Sequence, residues 1–302
     1  MIKHVYLEFI TIYKSTFFKI FIFTFIFLAL FGFYQSCTTI VNLEKNLENI
    51  YNEISIEMES KGESLENISI DFSDSLKNIE GLMNTIHPES ASDYILTIYS
   101  TVGPLIFSIL GAFIIGIDYQ YSTLKLKVAQ FGITRVIIHK VIVLMILSIS
   151  LYVLANLFGF IGGNIAWNYI TRNSAVAVNF EYIPLYLSNI NQLLTLILGL
   201  VFYGILGMGA TLLTNNLLYG CLISISVPYI ENIFAKWYLP KHLYSILLKN
   251  NFLYVEGSLV SYPNTLIDSS LSNNTLLIVL LLITLSLLLV SLLYSKNKTI
   301  SI

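Results

Sequence analysis

Six uninterrupted apolar runs decide what this chain can fold into. They fall at residues 16–35, 94–117, 136–163, 193–214, 217–234 and 275–294. Each approaches or exceeds the roughly 20 residues of helix needed to cross a hydrocarbon core of about 30 Å. Backbone amides find no water in lipid, so only helices or closed barrels span it. The runs lack the period-two alternation of barrel strands, which excludes a β-barrel. Composition agrees, with 56% hydrophobic and 11% charged residues, where a soluble domain carries about 25% charged. The expected fold is an all-α membrane protein with six transmembrane helices. The first run outlasts a secretory h-region, and no small-residue cleavage site follows it, so it reads as a true span, 16–37.

Charge orients the spans. With a cytoplasmic N-terminus, the inner segments hold nine bases (Lys3, Lys14, Lys19, Lys125, Lys127, Arg135, Lys140, Lys296 and Lys298) against Glu8 and Asp118. That is +7 inside and −9 outside, which together give the net −2. Lys and Arg density in short loops predicts cytoplasmic N- and C-termini. Lys236, Lys241 and Lys249 then lie outside, against the trend.

Residues 1–15 place Val5, Phe9, Ile12 and Tyr13 opposite Lys3, Glu8 and Lys14, the pattern of an interfacial helix on the inner membrane face. Residues 38–93 carry 12 acids and 3 lysines. Leu43, Leu47, Ile50 and Ile54 form one helical stripe, and Leu76, Ile79, Leu82, Met83 and Ile86 a second. Gly62 separates them, Ser73 or Asp74 is available to cap the second, and His87-Pro88 ends it. A small extracellular helical hairpin is expected there. Residues 94–302 hold spans 2 to 6. A polar, aromatic linker at 164–190 offers Trp167, Tyr169, Tyr182 and Tyr186 to the headgroups. Only Asn215 and Asn216 separate the fourth and fifth spans, so those pack as a tight hairpin. The outer segment 235–273 is too apolar for a free loop and too charged to span. Its Leu243, Ile246 and Leu247, set against Lys241, His242 and Lys249, suit a helix dipping into the outer interface.

Small residues mark close helix packing: Gly159 with Gly163, Ser108 with Ala112 and Gly116, and Gly204, Gly207 and Gly209. Pro104 and Pro228 are expected to bend the second and fifth spans. Cys37 and Cys221 fall about a bilayer apart, too far for a disulfide.

Within these residues no GxxxxGK[ST], HExxH, GxSxG or Cys/His metal pattern occurs, so no catalytic or metal site is expected, and neither is a bound cofactor or a nucleic acid. Two charges fall within spans, where burial is expensive enough to make them functional candidates. Asp118 ends the second span on the cytoplasmic side, where it is expected to be solvated or paired with Lys125 or Arg135. Glu231 lies near the outer third of the fifth span, three residues past Pro228. Glu231, Pro228 and Pro104 form a candidate substrate path or gate, the alternative for Glu231 being an interfacial carboxylate near Lys236.

The most informative segment is 118–135. Ser122 or Thr123 is placed to cap a short helix TLKLKVAQ, Gly132 to end it and Thr134 to cap the third span. Leu124, Leu126 and Val128 supply apolar contact, while Lys125, Lys127 and Arg135 face headgroups or an acidic partner. A plain charged loop needs no such sequence of caps, so a cytoplasmic docking element is expected.

With a short interfacial helix, six spans and the residues Asp118, Tyr119, Thr123, Leu124 and Lys125 followed by Gly132, Thr134, Arg135 and Lys140, the chain resembles the type-2 ABC exporter permeases. Among these it looks most like the bacterial peptide-antibiotic and lantibiotic-immunity membrane subunits. The resemblance implies a bacterial plasma-membrane permease, multi-pass and non-catalytic. A separate ABC ATPase, holding ATP and Mg, would dock on the N-terminal helix and on Asp118, Tyr119, Thr123, Leu124, Lys125, Lys127 and Arg135. It implies a second permease copy or a related one, an outer gate in 235–273, and an amphipathic or hydrophobic cargo such as an antimicrobial peptide or lipid. Lysine stands here where that family often has arginine. A membrane sensor binding ligand through 38–93, or an ion-coupled carrier, are the alternative readings.

Overall fold

The computed structural model describes residues 2–61, 73–176, 180–182, 189–233, 240–251 and 272–300. Every regular element among them is helical: α1 (Ile2–Lys14), α2 (Thr16–Lys61), α3 (Ser73–Ile86), α4 (Ala91–Gln120), α5 (Thr123–Phe131), α6 (Ile133–Asn173), α7 (Asn189–Thr214), α8 (Leu217–Ile233), α9 (Pro240–Asn251) and α10 (Asn273–Ile300). Five helices are long and apolar enough to cross a membrane: Thr16–Ile56, Ala91–Gln120, Ile133–Asn173, Ile190–Thr214 and Asn273–Tyr294. Where a further span was expected, at 217–234, α8 is a 17-residue helix, about 25 Å long at 1.5 Å per residue. The chain is therefore a multi-pass helical membrane protein.

Helix α4 is the hub. It packs along α7 through a seam of small residues, where a methyl added at Gly111 would strike the Gly204 carbonyl and one at Gly207 the Ser108 carbonyl. Backbones approach this closely only without side chains between them. Gly159 and Gly163 of α6 meet the start of α4 in the same way, at Ser92 and Ala91. Pro104 is buried within α4. Against α2, α4 presents an aromatic ladder in which Phe25 meets Tyr99 edge-on at 4.8 Å, and the Tyr99 hydroxyl donates to the Phe25 carbonyl at 2.8 Å.

Helix α2 runs unbroken through Lys61, so the stripe of Leu43, Leu47, Ile50 and Ile54 continues the first span outward, with no proline to interrupt it. One boundary moves outward from the sequence reading. Helix α6 continues to Asn173, so Trp167 and Tyr169 are helical and not linker residues. Buried Ala166 and Ile170 hold that extension on the core. Tyr186 lies outside the described residues, as do Gly62 and Lys236. Helix α3 packs its stripe of Ile79, Leu82, Met83 and Ile86 into the common core, while Leu76 and Ile50 stay exposed. Asn215, with φ 53°, turns the chain between α7 and α8. Of segment 235–273, α9 is the main described part. His242 is not on the outward polar face expected for it but is buried alongside Leu243, Ile246 and Leu247, and the Tyr244 hydroxyl donates to the Ser100 carbonyl at 3.0 Å.

Candidate functional site

The sharp reversal between α4 and α6 follows from two backbone positions. Ser122 adopts the left-handed conformation (φ 54°, ψ 21°) that lifts the chain out of α4. Gly132, at φ 77° and ψ 146°, occupies a region that L side chains rarely enter and redirects it into α6. Between them α5 contributes no fully buried residue. Tyr121, Lys125, Leu126, Thr134 and Arg135 are exposed, Leu126 at 66%.

The expected side-chain caps do not form. Ser122 makes no cap hydrogen bond, and α6 starts from Gly132 without one from Thr134. The Thr123 hydroxyl instead donates to Asp118 Oδ1 at 2.9 Å, because the left-handed turn folds α5 back over the end of α4.

Asp118 is buried, and its partners are neither Lys125 nor Arg135. Lys127 Nζ lies 2.8 Å from its Oδ1 and Lys140 Nζ 2.7 Å from its Oδ2. The same two ammoniums reach the N-terminal helix. Lys127 stands 2.5 Å from Glu8 Oε1, and Lys140 stands 3.4 Å from Glu8 Oε2. Lys140 also donates to the Ile114 carbonyl at 2.7 Å. Two carboxylates and two ammoniums thus close a neutral ring that joins α1, α4, α5 and α6. Lys127 accordingly points inward, where an outward, partner-facing lysine was expected. Burial works against its charge, but the hydrogen bonds it donates to Asp118 and Glu8, with the charges of those carboxylates, outweigh that and hold its pKa above the ordinary lysine value.

Glu8 is the residue that the sequence reading set on the wrong face. The inward stripe of α1 is Val5, Glu8, Phe9 and Ile12, whereas Tyr13 is 58% exposed. Position 8 falls inside the apolar spacing of 5, 9 and 12, a signal available in the residues themselves. Lys140 was likewise legible, standing three residues after Ile137 and four before Leu144, both buried. Tyr119 packs partly buried against the core. Glu231 and Pro228 belong to the backbone of α8; their side chains lie outside the described residues, and Pro104 is the member of the expected path seen in the core. Among the described residues no cluster of three His, Cys, Asp or Glu side chains could hold a metal ion.

The fold and ring together define a multi-pass helical membrane protein with a charge-paired junction where a short, solvent-facing helix links two apolar ones. Compared with protein-family models, curated proteins and solved structures, the chain matches none.

Proposed function

We propose that this chain is the membrane-spanning permease subunit of an ATP-driven exporter, energised by a separate ATPase that docks on α5. In this reading α8 completes a set of six spans, both termini are cytoplasmic, α1 lies along the inner face and the α2–α3 extension is extracellular. The carrying observation is that α5 is an outward handle: it buries no residue fully, yet Lys127 fastens it to α4 and α1. A purely connecting loop gains nothing from a buried counter-ion pair, which costs several kcal/mol of desolvation per ion. A handle does, because force applied to Leu126 and Lys125 then reaches α4, the hub of the bundle. The small-residue seam between α4 and α7 makes those helices move together.

The cargo is amphipathic or hydrophobic, since the described apolar helices offer few charges to a polar solute. Two copies, or this chain and a related one, would enclose the path. Affinity purification of the tagged chain from its native membranes tests the proposal. Recovery of a P-loop ATPase, lost when residues 124–127 are deleted from a chain that still inserts, supports it. Its absence in both preparations contradicts it.

A further inference from the structure

The ring divides its work oxygen by oxygen. Asp118 Oδ1 and Glu8 Oε1 both face Lys127, whereas Asp118 Oδ2 and Glu8 Oε2 both face Lys140. The two lysines differ in access. The Lys127 side chain is 26% exposed at the rim, and that of Lys140 is 1% exposed within α6. Thr123, the other donor to Asp118 Oδ1, sits on the same short helix as Lys127.

We infer that Lys127 is a detachable clasp and Lys140 the fixed half of the junction, so that α5 lifts away from α1 and α4 by releasing the Lys127 ammonium together with the Thr123 hydroxyl. Departure of α5 removes Thr123 and Lys127 together and leaves Oδ1 and Oε1 open to water. The inner oxygens keep Lys140 throughout. Neither carboxylate is therefore stranded in an apolar setting without a counter-ion, the situation that makes breaking a buried pair so costly. Loss of Lys140 has no such escape, because its ammonium is also the partner of the Ile114 carbonyl deep in the bundle. The same geometry makes α1 answer to α5, since among the described residues Lys127 is what holds Glu8 from the α5 side. Only the identity of what pulls on α5 rests on the docking reading.

Hydrogen–deuterium exchange on the full chain, purified alone in lipid nanodiscs, tests the clasp. Lys127→Gln should speed exchange in α5 and α1 about tenfold, as expected for local opening, and leave α4 and α6 at their wild-type rates. Lys127→Arg should restore protection, and Lys125→Gln, an exposed neighbour on the same helix, should change nothing. Wild-type exchange in Lys127→Gln overturns the inference, as does acceleration in α5 without α1, or acceleration spreading into α4 and α6. No ATPase is present, so failure here leaves the docking proposal standing. Failure to recover an ATPase from membranes leaves the clasp standing.

Discussion

Lys140 Nζ of α6 lies 2.7 Å from Asp118 Oδ2 of α4, with the two side chains only 1% and 2% exposed. The pair fixes the foot of α6 against the end of α4 at the point where the chain reverses through α5. Its energetics are those of an interior ion pair: weak as net stabilisation, severe when one member is removed.

Asp118→Asn or Lys140→Met should therefore each cost about 3 kcal/mol, because each leaves an uncompensated charge in the bundle. The double variant should lose clearly less than the two single losses combined. Denaturant titration in mixed micelles reads both quantities. Additive losses would mean that the two groups act independently.

The α4–α7 seam gives a second expectation. Gly111→Ala directs its methyl at the backbone carbonyl of Gly204, which has no side chain to move aside. The helices must separate, at a cost of about 1–3 kcal/mol. Gly209→Ala, which meets only the Ser291 hydroxyl at 3.1 Å, should be nearly silent. Thermal denaturation of the two variants side by side checks the contrast.

These positions also show how far the sequence carried. The seam was readable because spacings of three and four among Ser108, Ala112, Gly204 and Gly207 need only helical geometry. The reversal at 118–135 was readable from Gly132. The ring was not, for a physical reason. Charge spacing along one helix says nothing of which neighbours converge on it, so Asp118 was matched with Lys125 and Arg135, its neighbours in sequence. The actual partners come from α1 and α6. Treating Glu8 as polar first and as a member of the Val5–Phe9–Ile12 stripe second hid the residue that ties α1 to both lysines of the site.

His87 supplies a pH signature away from the spans. Its ring stacks on Tyr182 at 4.1 Å and meets Trp167 edge-on at 5.0 Å. Burial lowers its pKa below the ordinary 6.5, against the opposing pull of Glu89. The folded chain then binds this proton less readily than the unfolded one. Stability from this group is present above pH 6.5 and falls as pH drops below it. His87→Phe keeps the aromatic contacts and removes the titration. Its melting temperature should decline less than the wild-type value between neutral and mildly acidic pH.

Lys127 gives the opposite sign. Its folded pKa is raised above 10.5, so its contribution is complete below that value and lost only as pH rises through the higher, folded one. Protection of α5 against hydrogen exchange, corrected for intrinsic rates, should hold through neutral and moderately alkaline pH. Early loss would place the ammonium outside the ring.

The most direct test of the docking account is a photoreactive residue in place of Leu126, activated in native membranes, with the same residue at exposed Ile50 on the α2 extension as reference. The account expects a single dominant adduct from position 126, with a nucleotide-binding protein, and no such adduct from position 50. Labelling of lipid alone at 126, or the same partner captured from both positions, would contradict it.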